Sequence, residues 1–208
     1  IGKALSEQLM LQGHFVHGFS RRGTGNVSKN YDIDINKDPL PEIDGPLNGI
    51  VYCPGTINLK PFSFFKPEDF QKDLEINVIG AIKVLRQYLL NLQMCESASV
   101  VLFSTVAVTA GMAYHSSVAV AKGAVEGLTR SLAAEWAPKI RVNCIAPSLT
   151  DTPLAVKLLD TDAKRSAAQQ RHPLKVVGDS RDIASMAFWL LSGQSKFMTG
   201  QIIHIDGG

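Results

Sequence analysis

Cysteine is scarce in this chain of 208 residues, with three copies, none of them in a C-x-x-C pair. An odd number of dispersed cysteines argues against a disulfide framework and favours core thiols in a reducing compartment, so we expect a cytoplasmic protein. The five histidines show no metal-ligand spacing, and we expect no metal site. No hydrophobic run approaches the roughly 18 apolar residues of a membrane span, so we expect no membrane association.

Charge is equally limited. Charged residues make up 19% of the chain, the formal net charge is +2, and Lys and Arg are dispersed. These features argue against nucleic-acid binding, which needs a concentrated basic surface. A hydrophobic fraction of 45% fits one domain over residues 1–208. A domain of this size buries roughly 70% of its unfolded surface without disulfides or metals.

Short apolar runs alternate with amphipathic segments of helical length. The runs are too unbroken for one-faced strands, which indicates that both faces of the sheet are covered. They lie at 15–19, 50–53, 100–103, 141–145 and 202–205. Helices are predicted at 2–12, 67 to about 94, about 114–136 and 180–191. This alternation predicts an α/β fold of the Rossmann type, a doubly wound parallel sheet of about seven strands with helices on both faces.

Ligands of doubly wound sheets bind beyond the carboxyl ends of the strands. In this chain those ends are followed by segments 20–22, 54–56, 104–105 and 147–152. Because several sequence-distant loops would meet at one edge, the sequence predicts a cofactor crevice there.

Three motifs carry a family resemblance. The run KGAVEGLTRSLAAE begins at Lys122, and the chain closes on Thr199-Gly200-Gln201 and Asp206-Gly207-Gly208. With them, nearly the whole chain resembles the short-chain dehydrogenase/reductase family. Ile1-Gly2 resembles the end of that family's glycine turn, whose backbone N–H groups approach a pyrophosphate at a helix N-terminus. The resemblance therefore implies that the first strand and most of this turn precede residue 1.

Ser20-Arg21-Arg22 stands where the family recognises the adenosine ribose. A guanidinium offers a planar fork of donors to a 2'-phosphate, so Arg21 and Arg22 favour NADP(H) over NAD(H). The alternative is a basic pair in a solvated loop. Asp34-Ile35 resembles the pair that contacts adenine, with Asp32 as the competing register.

The family's catalytic set is partly present. Lys122 matches the lysine that binds the nicotinamide ribose, and Asn77 matches the asparagine that keeps a break in its helix and helps to hold a water in the proton relay. Counting back seventeen residues from Lys122 gives Thr105 in the place of the serine that binds the substrate carbonyl, with Ser104 as the alternative. Counting back four gives Val118 where the acid-base tyrosine belongs. An isopropyl group can neither donate nor accept a proton.

Two neighbours are candidates for the missing proton donor. Tyr114 lies eight residues before Lys122, about 12 Å along a continuous helix, so a simple exchange is geometrically poor. In a loop before the helix, Tyr114 and His115 would be able to fold over the nicotinamide. Enoyl reductases of this superfamily place their tyrosine seven residues before the lysine, which is His115 here, so alkene reduction stays open. The other alternative is that both side chains lie on the surface of the loop and have no catalytic role.

Further cofactor contacts follow from the resemblance. Gly55 is the glycine kept from the family's Asn-Asn-Ala-Gly motif, and it lets the backbone pass close to a cofactor. Pro147, Thr150 and Thr152 match the segment that meets the nicotinamide carboxamide and phosphate, although Ser148 replaces a glycine there.

Segment 154–173 matches the family's variable substrate flap. Its basic residues indicate an anionic substrate or partner, or else a solvated helix face: Lys157, Lys164, Arg165 and Arg171. The resemblance implies a small-molecule substrate and a homodimer or homotetramer. Two functions remain: an NADP(H)-dependent oxidoreductase acting on a carbonyl, alcohol or activated alkene, and a catalytically impaired NADP(H)-binding pseudoenzyme that serves as a sensor or scaffold.

Overall fold

Helices and strands alternate along the computed structural model, which describes residues 1–21, 23 and 26–208. The helices are α1 (Gly2–Leu11), α2 (Pro67–Leu74), α3 (Gly80–Gln87), α4 (Leu89–Gln93), α5 (Ala107–Ala110), α6 (Ser116–Trp136), α7 (Val156–Leu159), α8 (Asp162–Arg171) and α9 (Ser180–Leu191). The strands are β1 (His17–Ser20), β2 (Lys29–Asp32), β3 (Gly49–Val51), β4 (Ala98–Phe103), β5 (Ile140–Pro147), β6 (Thr150–Asp151), β7 (Gly178–Asp179) and β8 (Ile202–Ile205). A π-helical turn covers Glu75–Ile79, and 3-10 turns cover Phe62–Phe64, Pro153–Ala155 and Gly193–Ser195.

All strand pairs formed by the described residues are parallel. The main sheet has the order β3-β4-β5-β8, and β1 pairs with β2 in a separate two-stranded sheet. The two-residue strands β6 and β7 form a third pair beyond the end of β5. Helices connect the parallel strands, so the predicted α/β architecture with a parallel sheet is confirmed.

Both faces of the sheet are covered, as the unbroken apolar runs predict. In β4, Val100 and Leu102 pack into the cluster that contains α3 and α6. Val101 and Phe103 point to the opposite face and pack with α1 and α9. All six residues of β4 are buried. Burial of a Val, Leu or Phe side chain contributes roughly 1.5–3 kcal/mol, so this central strand anchors both layers.

The predicted helical segment from 67 to about 94 is divided into four pieces. Two carbonyl groups of its middle turns accept hydrogen bonds from side chains: Asn77 Nδ2 donates to Asp73 O, and the Tyr52 hydroxyl donates to Ile76 O. These bonds accompany the π-helical turn, which interrupts the α-helical ladder. A second interruption follows at Tyr88, which has φ −107° and ψ 14°. The break that the family resemblance implied at Asn77 is present, whereas the interruption at Tyr88 was not predicted.

The first predicted strand, 15–19, begins two residues later in the structure. The backbone N–H of Val16 donates to Ser28 Oγ at 2.9 Å instead of joining a strand ladder, and Phe15 is 69% exposed. Strand β3 likewise ends at Val51, before Pro54. Helix α9 begins as predicted, with the Asp179 side chain accepting from the backbone N–H of Arg181.

A cavity of about 470 Å³ separates β1 from β3. Its walls include Leu5 and Leu9 of α1, Phe19 of β1 and Val51 of β3. Within the described residues, β1 pairs only with β2 and β3 only with β4. Among the described helices, none is long and apolar enough to cross a membrane.

Candidate active site

The predicted loops meet at one edge of the main sheet. Strands β3, β4 and β5 run parallel, so their last residues, Val51, Phe103 and Pro147, lie on the same side. The backbone N–H of Val106 donates to Pro147 O at 3.2 Å and joins the loops that follow β4 and β5. This edge is where a doubly wound sheet binds its ligand.

Lys122 projects from α6 toward the end of β4. Its Nζ donates to the backbone carbonyl of Phe103 at 2.8 Å, and the residue is 7% exposed. Burial lowers the pKa of Lys122 from 10.5 to about 8, against opposing contributions that include Asp73. A lysine with this pKa can lose or take up a proton near neutral pH.

Asn77 lies in the π-helical turn and is buried. Its Nδ2 donates to Thr56 Oγ1 at 2.9 Å and to Asp73 O at 2.8 Å. Its Oδ1 is buried and has no hydrogen-bond partner among the described residues. An unsatisfied buried carbonyl is costly, so Oδ1 is an acceptor available to a ligand.

Gly55 brings Asn77 and Lys122 to one point. A Cβ added to Gly55 would lie 3.3 Å from Asn77 Oδ1 and 3.4 Å from Lys122 Nζ. The start of α1 is nearby, because a Cβ on Gly2 would lie 3.2 Å from Cys53 Sγ. Three predicted site residues and the first turn of α1 are thus collected around the 53–55 loop.

Tyr52, directly after β3, stabilises this loop through a hydrogen bond that the sequence did not predict. Tyr52 stands where the family has the first asparagine of its motif, and its hydroxyl donates to Ile76 O at 2.6 Å. Burial raises the pKa of Tyr52, with further contributions from Glu75 and Asp34. Tyr52 therefore stays protonated and links β3 to the π-helical turn. An unusual aromatic residue at a motif position was the signal available in the sequence.

We expect Gly80→Ala to destabilise the fold by about 1–3 kcal/mol, the typical cost of overpacking. The added Cβ would overlap the Tyr52 hydroxyl and lie 2.6 Å from Asn36 Oδ1. Urea unfolding followed by circular dichroism measures the change.

Gly127→Ala is the matched control, because a Cβ at that position of α6 meets nothing within 4 Å. We expect this control to be neutral or to stabilise the protein by about 0.4–1 kcal/mol. Adding Tyr52→Phe to Gly80→Ala should recover part of the loss, since the hydroxyl is removed. Equal stability of the two alanine variants would contradict the steric argument.

The structure separates the two candidates for the carbonyl-binding hydroxyl. Ser104 is buried, and its Oγ donates to Glu126 Oε1 at 2.8 Å. Thr105 is half-buried at the end of β4, and its Oγ1 accepts from the backbone N–H of Ala107 at 3.3 Å. The hydroxyl of Thr105 retains a hydrogen to donate, whereas that of Ser104 is engaged within the core.

The side chain at position 118 is buried in the structure. Val118 lies one turn before Lys122 on α6 and is 5% exposed. The neighbouring Ser117 donates from its hydroxyl to Asp73, and both are buried. Helix α6 is therefore fixed to α2 at the turn that would carry the missing tyrosine.

Tyr114 and His115 lie in the loop before α6, as one of the alternatives predicts. Tyr114 has φ +68°, and its side chain is 60% exposed. Its carbonyl accepts from the backbone N–H of Lys60 at 3.2 Å. His115 occupies the N-cap position of α6, and its Nδ1 pairs with Ala113 O at 2.7 Å. Seven residues, about two helical turns, separate His115 from Lys122, so both lie on one side of the helix axis.

The predicted adenosine site is spread along the ends of β1 and β2. Ser20 ends β1, and Arg21 follows it as an exposed residue. Arg22 lies outside the described residues. Asp34 Oδ1 accepts from the backbone N–H of Asn36 at 3.1 Å, and Ile35 packs against the core beside α3.

Asp32, the competing register, is exposed at the end of β2. Its Oδ1 accepts from Asn30 Nδ2 at 2.6 Å. Asp34 therefore stands where the chain turns back toward the sheet, while Asp32 belongs to the strand itself.

The segment after β5 is fixed at several points. Thr150 Oγ1 donates to Ser148 O at 3.0 Å, and Thr152 Oγ1 donates to Thr150 O at 3.4 Å. Ser148, the residue in place of a glycine, pairs through Oγ with Nε2 of the buried His172 at 2.8 Å. This contact joins the segment to the end of the flap, and it was not predicted.

Known proteins resemble this chain in sequence and in structure over nearly its whole length. The family model described as enoyl-(acyl carrier protein) reductase matches residues 23–208. A tropinone reductase homolog of Arabidopsis thaliana is 33% identical in an alignment that covers 100% of this chain and 87% of the relative. A short-chain dehydrogenase family protein from Francisella tularensis has 26% identity and a TM-score of 0.88, covering 100% of this chain and 93% of that one.

A third relative is a gluconate 5-dehydrogenase from Burkholderia cenocepacia, solved in complex with NADP and tartrate. It has 22% identity and a TM-score of 0.88, and the match covers 100% of this chain and 89% of that one. At this identity the likeness shows the fold. The family model and the Arabidopsis relative together show more: the chain belongs to the short-chain dehydrogenase/reductase family of oxidoreductases.

Proposed function

We propose that the protein is an NADP(H)-dependent oxidoreductase that moves a hydride between nicotinamide and a carbonyl or alcohol, or an activated alkene. The strongest support is the convergence of Lys122 Nζ and Asn77 Oδ1 on Gly55. A lysine donor and an unused amide acceptor suit a polar ligand such as a ribose with its hydroxyl groups. Their place at the carboxyl edge of the sheet suits a dinucleotide.

The residues present fit this cofactor. Gly55 leaves open the space that a Cβ would fill, and Asn77 Oδ1 faces it without a partner in the described chain. Lys122 would bind the nicotinamide ribose, while Thr150 and Thr152 would bind the carboxamide and phosphate and Pro147 would lie beside them. When bound, NADP(H) supplies the hydride donor or acceptor.

Arg21 supports NADP(H) over NAD(H). It is exposed directly after β1, where a guanidinium can reach a 2'-phosphate. A further support is the gluconate 5-dehydrogenase of the same fold, whose structure contains NADP. Ser20 and the neighbouring Asp34-Ile35 would complete the adenosine site.

We expect simultaneous Arg21→Ala and Arg22→Ala changes to weaken NADPH binding about 10- to 100-fold, because a charged hydrogen bond contributes roughly 1.5–3 kcal/mol. NADH lacks the 2'-phosphate, so its affinity should change little. Nucleotide fluorescence titration measures both dissociation constants. Arg86→Ala, which removes an exposed arginine on α3, is the matched control. Equal losses for the two nucleotides would argue against recognition of the 2'-phosphate.

Substrate binding and proton delivery are assigned to the loops after β4. Thr105 would donate its hydroxyl to the substrate carbonyl, and Lys122 would hold positive charge beside the proton donor. Because Val118 cannot provide the proton, it would come from Tyr114, or from His115 where an alkene is reduced. His115 lies on the Lys122 side of α6, and Tyr114 lies in the adjoining loop.

A second candidate is a catalytically impaired NADP(H)-binding protein that acts as a sensor or scaffold. The burial of Val118 favours it, because this helix turn is packed rather than open to substrate. NADPH oxidation with a panel of ketones, quinones and enoyl thioesters separates the two candidates. Turnover of any of them supports the enzyme, and tight NADPH binding without turnover supports the sensor.

We also propose that the single domain includes one more parallel strand in the cavity between β1 and β3. The cavity walls are mostly apolar, and within the described residues β1 and β3 each have a single partner strand. A strand supplied by residues ahead of Ile1 would join the two sheets and bring a glycine turn to the start of α1, beside Ile1 and Gly2.

Homo-oligomer formation and a cytoplasmic location complete the proposal. Apolar side chains are exposed on two helices, with Leu90 of α4 at 70% and Val120 of α6 at 52%. The three cysteines are free thiols, which suits a reducing compartment.

A further inference from the structure

Five large apolar side chains are exposed on the loops at the carboxyl edge of the sheet. They form the apolar rim: Ile57 at 39%, Met112 at 37%, Tyr114 at 60%, Leu154 at 54% and Val156 at 57% exposure. Ile57 follows β3, Met112 and Tyr114 follow β4, and the last two follow β6. Apolar side chains scattered singly over a surface are normal, whereas apolar side chains grouped at one edge are the kind of patch that marks a ligand-binding site.

Backbone hydrogen bonds hold these loops together. The N–H of Lys60 donates to Tyr114 O at 3.2 Å and joins the loop after β3 to the loop after β4. The N–H of Val106 donates to Pro147 O at 3.2 Å and joins the loop after β4 to the end of β5. The apolar rim is therefore attached to the same edge that carries Lys122, Asn77 and Gly55.

Three cations of the segments that carry the rim are each paired with a carboxylate. Lys60 contacts Asp69 at 2.7 Å beside the first loop. In the flap, Lys164 contacts Asp160 at 2.7 Å, and Arg165 contacts Asp151 at 2.8 Å. Each exposed pair contributes little to stability, but each cation is already compensated by a carboxylate. Two of the four basic residues that indicated an anionic ligand are thus accounted for by neighbours.

We infer that the substrate is an uncharged molecule whose reactive carbonyl or alkene carries an apolar chain or ring, which contacts the apolar rim. This inference rests on the proposed function and specifies its substrate class. An apolar chain removes rim side chains from water, at about 0.8 kcal/mol for each buried methylene group. An anionic chain of the same length would place a carboxylate against apolar side chains, and Lys60, Lys164 and Arg165 are already paired with carboxylates of the protein.

The test compares two ketones that differ only at the far end of the chain. 2-Octanone ends in a methyl group, and 7-oxooctanoate ends in a carboxylate at the same distance from the ketone. We expect kcat/KM with NADPH to be at least about tenfold higher for 2-octanone. An equal value or a preference for 7-oxooctanoate would overturn the inference and leave the proposed oxidoreductase function in place.

A charge placed in the rim should change this preference. Leu154→Lys is expected to lower kcat/KM for 2-octanone about tenfold and to reduce the discrimination against 7-oxooctanoate. Leu11→Lys is the matched control, because Leu11 is 84% exposed at the end of α1, away from these loops. The same shift in both variants would overturn the role of the rim.

Binding without turnover separates this inference from the proposed function. Saturation-transfer NMR of the NADP⁺-saturated protein detects 2-octanone directly. Binding that Leu154→Lys weakens and Leu11→Lys does not would support the apolar site even if no ketone is reduced, in which case the redox proposal alone fails. Failure of 2-octanone to bind the nucleotide-saturated protein would overturn the inference whether or not other substrates react.

Discussion

Val118→Tyr is expected to raise the rate of carbonyl reduction by about 10²-fold, the lower end of the effect of a positioned general acid. The phenol would stand one helical turn, about 6 Å, before Lys122, whose pKa of about 8 favours proton transfer near neutral pH. Because Val118 is 5% exposed, we also expect the larger ring to destabilise the protein by about 1–3 kcal/mol. Single-turnover oxidation of NADPH with an excess of ketone measures the gain.

Val118→Phe is the control for this variant, because it carries the same ring without a hydroxyl. It should share the loss of stability and show no gain in rate. Equal rates in the tyrosine and phenylalanine variants would mean that proton delivery does not depend on position 118. Tyr114→Phe and His115→Gln, made in the wild-type background, would then show which of the two supplies the proton.

Lys122→Met should lower kcat/KM by about 10²- to 10³-fold, as expected for the loss of a positioned donor in a buried site. Methionine keeps the length of the side chain but cannot donate to Phe103 O or to a ribose hydroxyl. Steady-state kinetics with the best ketone of the panel measures the loss. Lys139→Met, on an exposed lysine just before β5, is the matched control. An unchanged rate would remove Lys122 from the proposed machinery.

The same variant has a pH-dependent readout in the absence of nucleotide. Between pH 8 and 10.5, unfolded Lys122 keeps its proton while the folded residue loses it, so the wild-type protein gains stability as the pH rises. The shift from 10.5 to about 8 corresponds to about 3 kcal/mol. The stability advantage of the methionine variant should therefore be largest below pH 8 and shrink toward pH 10.5. A difference that is independent of pH would contradict the burial of a charged Lys122.

Periodicity predicted the layers of the fold, and motif spacing led to the residues of the candidate site. The observed ends of helices α6 and α9 lie within two residues of prediction. The unbroken run at 100–103 indicated a strand covered on both faces, and β4 is buried along its whole length. Counting back from Lys122 also led to Thr105, which lies two residues after the end of that strand, at the same edge as the loops after β3 and β5.

Contacts between distant segments were beyond the reach of the sequence. The hydrogen bond from Tyr52 to Ile76 O and the pair formed by Ser148 and His172 depend on tertiary placement and have no local pattern. Within 67–94, the break at Asn77 was expected from the family resemblance, but the second interruption at Tyr88 was not. The ion pairs of the flap could not be predicted either, because a series of lysines and arginines in the sequence does not show which carboxylates lie opposite them.

The contact between Tyr52 and Gly80 constrains how this chain can diverge. With a tyrosine at 52, any side chain at 80 overlaps its hydroxyl, and Asn36 closes the space from the other side. A side chain at 80 is therefore expected to cost less stability in a background where 52 has already become smaller, whereas the reverse order passes through a less stable intermediate. The effects of mutations at these two positions, 28 residues apart, are therefore expected to depend on the order in which the mutations arise.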